Sequence, residues 1–253
     1  TFLTNKQFKI ILLNPYQVSK FRQALGKKAK TDDIDALVIA GLLRSNEYRA
    51  SYVPPENIED LRELTKLRYE FMKDQKNYKR QAMSLLNLVF PEYSKTVIKN
   101  PFAIASMKIL TEYPTAKHLA QVKQKKIEKM VRSIKGNTFD IKDIKHLLSV
   151  ARKSIYSGRC KEVRGMNLRM ILAHIQRFED SIKAINERID AILSPSVDDH
   201  RLGGNLFSIP GVGPKTVAAF LSIAGEDGSV FDTVTQITGH IGFFPQIYES
   251  GEK

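Results

Sequence analysis

Cysteine is nearly absent from this chain. Cys160 stands alone, which excludes internal disulfides and any cysteine-based zinc cluster. Long apolar runs are missing too. No stretch approaches the roughly 18 consecutive apolar residues of a membrane span, and no segment sets a basic face against an aromatic one, as a helix lying on a membrane does. Internal repeats, low-complexity tracts and a recognisable signal peptide are all lacking. Because the chain opens at Thr1 and closes on Ser250-Gly251-Glu252-Lys253, both ends read as cut, and a leader would be missing from view. The expected location is cytoplasmic, with the nucleoid as the bacterial setting.

Acidic charge is in deficit. Forty Lys and Arg face 27 Asp and Glu, a net charge of +13. A one-sided excess of this size suits a polyanion, because each cation placed on a phosphate releases condensed counterions. Apolar residues make up 42% of the 253 positions, enough for one sizeable core or two modest ones.

Phe8 to Leu13 is a short β-branched and apolar run closed by Asn14-Pro15, which predicts a buried strand and a turn. Pro15 suits the first position of a helix that shows Val18, Phe21 and Leu25 on one face and ends at Gly26. A basic loop with Lys27, Lys28 and Lys30 leads to Thr31, the cap of a second helix running from Asp32 to about Arg44. Pro54-Pro55 marks a boundary. A long helix then spans Glu56 to Phe90, with Leu61, Leu64, Phe71, Tyr78, Ala82, Leu85 and Val89 in steps of three and four. Arg68 and Gln75 interrupt that row. Shorter helices fill Pro91 to Gly158, where Lys123, Lys125, Lys126 and Lys129 form a solvated face. A second long helix, Glu162 to Leu193, has a cleaner row: Leu168, Ile171, Ile175, Phe178, Ile182, Ile185, Ile189 and Ile192. Such a row predicts a coiled coil, either as an antiparallel hairpin with the first long helix or between two copies of the chain. The fold class expected is mainly α: the C-terminal piece of an α/β domain at 1–53, a helical coiled-coil region at 54–197, and the start of a further helical domain at 198–253.

Two places suggest chemistry. In Ile209-Pro210-Gly211-Val212-Gly213-Pro214-Lys215, the glycine turn before a helix resembles the hairpin of helix-hairpin-helix modules. Gly211, Gly213 and Lys215 are therefore candidates to hold a backbone phosphate. A tight interhelical turn explains the glycines equally well. Asp32 and Asp35, at i and i+3, lie on one helical face, as two oxygen ligands of one divalent metal would. Asp32 and Asp33 are also good dipole partners in a first turn. Asp35 sits in IDALVIAGLL, which reads as a buried helix, and a carboxylate there must be paired, protonated or metal-bound. His118, His146, His174, His200 and His240 show no ligand spacing.

These words carry a resemblance. Asn14-Pro15, Ala24-Leu25-Gly26 and Ala29-Lys30-Thr31-Asp32-Asp33-Ile34-Asp35-Ala36 are similar to the end of the RuvC-like (RNase H-like) domain of DEDD transposases of the IS110 class, recombinases guided by a bridge RNA. Ser208-Ile209-Pro210-Gly211-Val212-Gly213 and Gly239-His240-Ile241-Gly242-Phe243-Phe244-Pro245, with Ser250-Gly251, resemble the opening of the same family's C-terminal transposase domain. The resemblance implies Asp32 and Asp35 as the last two acids of a Mg2+-holding DEDD set, and Ser250 as the serine that attacks DNA. The first Asp and the Glu of the set have no counterpart here; the resemblance places them before Thr1, so that the chain alone would be inactive. It further implies DNA and a structured guide RNA as partners, and a homo-oligomer assembled through the coiled coil. Two other readings stand beside it: a RuvC-like nuclease that only hydrolyses DNA, which has no use for Ser250, and a non-catalytic helical nucleic-acid-binding or assembly module, in which Asp32 and Asp35 merely support a helix.

Overall fold

The computed structural model describes residues 6, 10–26, 31–48, 50, 53–134, 139–156, 158–194, 203–226, 228, 230, 231, 233–240 and 242. The described chain is mainly helical and separates into two compact units, Thr1–Arg62 with Ala219–Lys253, and Glu63–Ala218.

In the first unit, α1 (Pro15–Ala24) begins as expected. Pro15 opens the helix, and the Asn14 side chain accepts from the Tyr16 N–H at 2.8 Å. Gly26, at φ +67, closes the turn that ends it. Helix α2 (Asp32–Ser45) is capped by the Thr31 hydroxyl, which accepts from Ile34 N–H, and stops where Asn46 turns left-handed at φ 56. The two helices pack on one another. Gly41 lets them approach, since a Cβ there would lie 3.3 Å from the Phe21 ring.

Two expectations fail here. The run ending at Leu13 is not a buried strand over its described part. Ile10 and Leu12 are about half exposed, and Leu13 makes a single antiparallel bridge to Ala50. A strand exists only as a member of a ladder, and one bridge does not make one; among the described residues there is no strand. Nor is α2 buried all round. It hides one stripe, Val38 and Leu42, while Leu37 is 65% exposed. Against a single neighbouring helix only one face can be covered, whatever the other faces contain.

In the second unit, α3 (Glu56–Val89, of which residues 63–89 lie in this unit) and α8 (Lys161–Leu193) run antiparallel. Phe71 meets Phe178 edge-on at 5.6 Å, Tyr78 stacks on His174 at 5.0 Å, and Arg68 Nε donates to Asn186 Oδ1 at 2.8 Å. Contact positions that rise on one helix as they fall on the other define a hairpin. The isoleucine row does face inward: Leu168, Ile171, Ile175, Ile185 and Ile189 are buried, and Leu172 and Leu193 widen the stripe. Arg68, which breaks the pattern in the sequence, is the polar link across it.

The turn between the long helices is a small helical head. It comprises a π-type turn (Tyr93–Val97), α4 (Ile104–Glu112), α5 (Ala116–Ala120), α6 (Gln124–Arg132) and α7 (Ile141–Arg152). Their apolar residues share one core with the adjoining ends of α3 and α8, including Leu86, Phe90, Ile109, Leu119, Ile127 and Leu147. Inside it, the buried Tyr93 hydroxyl lies 2.9 Å from Ser106 Oγ, which donates to Pro101 O at 2.7 Å, so no polar group is stranded. Gly165 permits the closest approach of α8, because a Cβ there would stand 3.1 Å from Pro114.

Candidate functional site

The acids of α2 come first. Asp35 is not aimed into a core. Its Oδ1 accepts from Arg22 Nη1 of α1 at 3.0 Å, with the two side chains 30% and 17% exposed. The carboxylate in apolar company has thus found the first of the three remedies open to it, a cation. Arg22 was missed by sequence reasoning. The available signal was a lone guanidinium one residue past Phe21, on the helix that α2 must pack against. The pair stands in the wall of a groove lined otherwise by Leu13, Pro15, Tyr16, Val18 and Ile39. Asp32 and Asp33 are exposed in the first turn, where their charge favours the helix dipole.

As metal ligands, Asp32 and Asp35 supply the hard carboxylate oxygens that Mg2+ takes. Among the described residues, no group of three or more His, Cys, Asp or Glu gathers. The donor type fits, and the set is partial.

The glycine turn is built as a type II turn. Pro210 and Gly211 occupy its centre, Val212 N–H bonds to Ile209 O at 3.1 Å, and Gly211 has φ +84, which only glycine adopts at no cost. Helix α9 (Pro214–Ala224) follows. The N–H groups of Thr216 and Val217 both bond to Gly213 O, at 2.9 and 3.0 Å, closing the first turn of this helix. Lys215 is exposed, and nothing lies within 4 Å of a Cβ added at Gly211 or Gly213. The element before the turn is a single 3-10 turn, Gly204–Ser208, rather than the α-helix of a helix-hairpin-helix. Lys27, Lys28, Lys30, His200 and Ser250 lie outside the described residues.

His146 is exposed, and the other three described histidines take structural places. His118 contacts Thr115 Oγ1 at 2.9 Å and lies 3.6 Å from Glu162, His174 stacks on Tyr78, and His240 tilts against Phe231. Elsewhere the head concentrates positive charge. Lys161, beside Lys117, lowers the pKa of Lys117, two ammonium groups being held close together.

Two family models match the sequence. A model described as a transposase, of the DEDD IS110 type, matches residues 1–91, and one described as the IS116/IS110/IS902 transposase family matches residues 204–253. Together they cover more than half of the chain. The chain belongs to the IS110 family of transposases. No curated protein matches it. The first match spans Asp32, Asp35 and the Arg22 that pairs with Asp35, and the second spans the glycine turn, α9 and Ser250. A transposase acts on DNA, and no described helix is long and apolar enough to cross a membrane.

Proposed function

We propose that this transposase cuts and rejoins DNA with Asp32 and Asp35 as two acids of its metal site and Ser250 as its nucleophile, directed by a structured guide RNA. The observation that carries the reading is Asp35 itself. It is half-buried, held by Arg22 on the wall of a groove, and separated by one turn from a second carboxylate on the same helix. Mg2+ bound there would polarise a phosphodiester and ease departure of the leaving oxygen. The rest of its ligands come from outside the described residues, and the described residues alone are inactive in this reading. Arg22 fixes the rotamer of Asp35 and balances its charge until the metal arrives. Ser250 would form a phosphoester with the cut strand as a deoxyribose hydroxyl leaves, and the reverse step would rejoin the strands. A serine hydroxyl is a weak nucleophile and needs such activation.

A second reading has one observation in its favour. The ion pair to Arg22 and the dipole position of Asp32 account for both acids without a metal, as in a helical assembly module. Strand cleavage by the transposase in the presence of its guide RNA separates the two. Asp32→Asn and Asp35→Asn should abolish cleavage with nucleic-acid binding retained, Asp33→Asn should be mild, and Ser250→Ala should remove the covalent protein–DNA adduct. Cleavage surviving Asp35→Asn sinks the metal site, and cleavage surviving Ser250→Ala leaves a hydrolytic nuclease. Homo-oligomerisation belongs to the same proposal. With α3 filling the isoleucine row, a second copy must meet another face, and a chain that sediments as a monomer at high concentration excludes it.

A further inference from the structure

Charge is distributed unevenly along this chain. Residues 90–160, between the two long helices, hold 15 Lys and Arg against 5 Asp and Glu, which is 10 of the net +13. The five acids are engaged in holding the head together. Glu92 accepts from the Ser154 hydroxyl and Ile155 N–H, Glu112 from the Tyr113 hydroxyl with Lys126 at 3.4 Å, and Glu128 from Gln124. Asp140 caps α7, and Asp143 accepts from Asp140 N–H in the reciprocal arrangement. Lys and Arg together outnumber the acids threefold, and those acids mostly serve neutral partners.

The surplus is organised by two helices. On α6, Ile127 and Val131 are buried while Lys125, Lys129 and Arg132 are exposed. Their i, i+4, i+7 spacing puts the three cations on the stripe opposite the core, about 10 Å long. On α7, Ile144, Leu147, Leu148 and Ala151 are buried, and Lys142, Lys145 and Arg152 are exposed outside that stripe. The two helices pack against one another, which sets their axes about one helix diameter apart. Aromatic platforms are missing from this surface. All six aromatics of the segment, Phe90, Tyr93, Phe102, Tyr113, Phe139 and Tyr156, are buried or half-buried.

We propose that the outward faces of α6 and α7 dock the sugar-phosphate backbone of double-stranded DNA. The proposal rests on the reading of the chain as a DNA-acting transposase, and it adds the surface and the form of the strand. Cations without stacking rings suit the phosphates of a backbone, whereas single-strand binders combine cations with aromatic platforms. A duplex also presents the densest line of phosphates to a surface of clustered cations. The apolar stripes of both helices are spent on the core, and Ile141 alone, 40% exposed, makes no lipid-inserting face.

The test compares the full 253-residue chain with a K125Q/K129Q/R132Q/K145Q variant and with a control of equal charge change on the long helices, K66Q/K73Q/K76Q/R177Q. All eight side chains are exposed, and unchanged thermal melting verifies the fold. Binding of a DNA duplex of roughly 20 base pairs should weaken at least about tenfold at about 0.1 M salt in the first variant, and its salt slope should flatten by about 3.6, from four lost phosphate contacts. The control should change binding by less than about twofold. Equal loss in both variants, or none in the first while wild-type binding stays salt-steep, overturns the surface and leaves the transposase reading intact. Tighter binding of single-stranded dT, of an RNA duplex or of phosphatidylserine vesicles overturns the choice of duplex DNA. A wild-type chain that binds no nucleic acid at any salt removes the proposal together with the reading beneath it.

Discussion

Arg22 donates to Asp35 at 3.0 Å, from the last turn of one short helix to the first turn of the next. The contact ties α1 to α2 and sets a counter-charge beside a carboxylate at the edge of an apolar face. Arg22→Ala should lower stability by about 1 kcal/mol, the range of a partly shielded ion pair. Arg22→Lys should recover part of the loss. An unmoved denaturation midpoint for Arg22→Ala would mean that solvent serves Asp35 equally well.

Arg68 and Asn186 form a polar link across the α3–α8 seam. Asn186→Leu should destabilise by about 1.5–3 kcal/mol, since it strips a charged donor of its acceptor, although leucine adds apolar area. Asn186→Asp should retain the link. If Asn186→Leu raises the unfolding midpoint instead, packing governs the register and the polar pair is incidental.

Within the isoleucine row, burial differs by position. Ile185 and Ile189 are buried, whereas Ile182 is half-buried. Ile185→Asp should cost about 3–5 kcal/mol, the scale of an orphaned buried charge, and Ile182→Asp clearly less. Calorimetric melting of the two variants checks the order. Equal losses would contradict the observed packing of α3 on α8.

Glu92 joins the π-type turn to the segment after α7, through the Ser154 hydroxyl and Ile155 N–H. Partial burial opposes its ionisation, yet these two bonds, with Lys95 nearby, hold its pKa below the usual 4.5. A lowered folded-state pKa means that the stabilisation is fully present above 4.5 and is lost as the pH falls through the folded value. Glu92→Gln should therefore destabilise at neutral pH, by no more than about 1 kcal/mol for so open a site. The gap to wild type should close on acidification. A gap independent of pH would assign the effect to shape rather than charge.

Much of the helical frame was legible because its signals are local. Pro15, Gly26 and Thr31 are terminus chemistry, and the row from Leu168 to Ile189 is a period that needs no knowledge of its partner. What the sequence could not show was partnership. Phe8 to Leu13 has the composition of a strand, but a strand depends on neighbours that a one-dimensional reading does not supply. The all-round apolarity of α2 suggested burial, while a single packed neighbour covers only Val38 and Leu42. Asp35 illustrates the same limit in the candidate site. Its need for a counter-charge was readable from its surroundings, and the identity of that charge, Arg22, was not. Arg68 looked like an interruption of a pattern, and only the facing helix reveals it as a contact.

The antiparallel course of α3 and α8 has a mechanical consequence. Chain enters and leaves this pair at one end, and the helical head is carried at the other. At 1.5 Å per residue, the 33 residues of α8 make a strut of about 50 Å. The reach of the head is therefore set by residue count in the two helices and can be altered independently of the head's own core. Removing seven residues from each, in register, would retract it by about 10 Å while preserving the isoleucine seam. Length in this strut is a heritable adjustment of span, available to insertion and deletion without any change of chemistry.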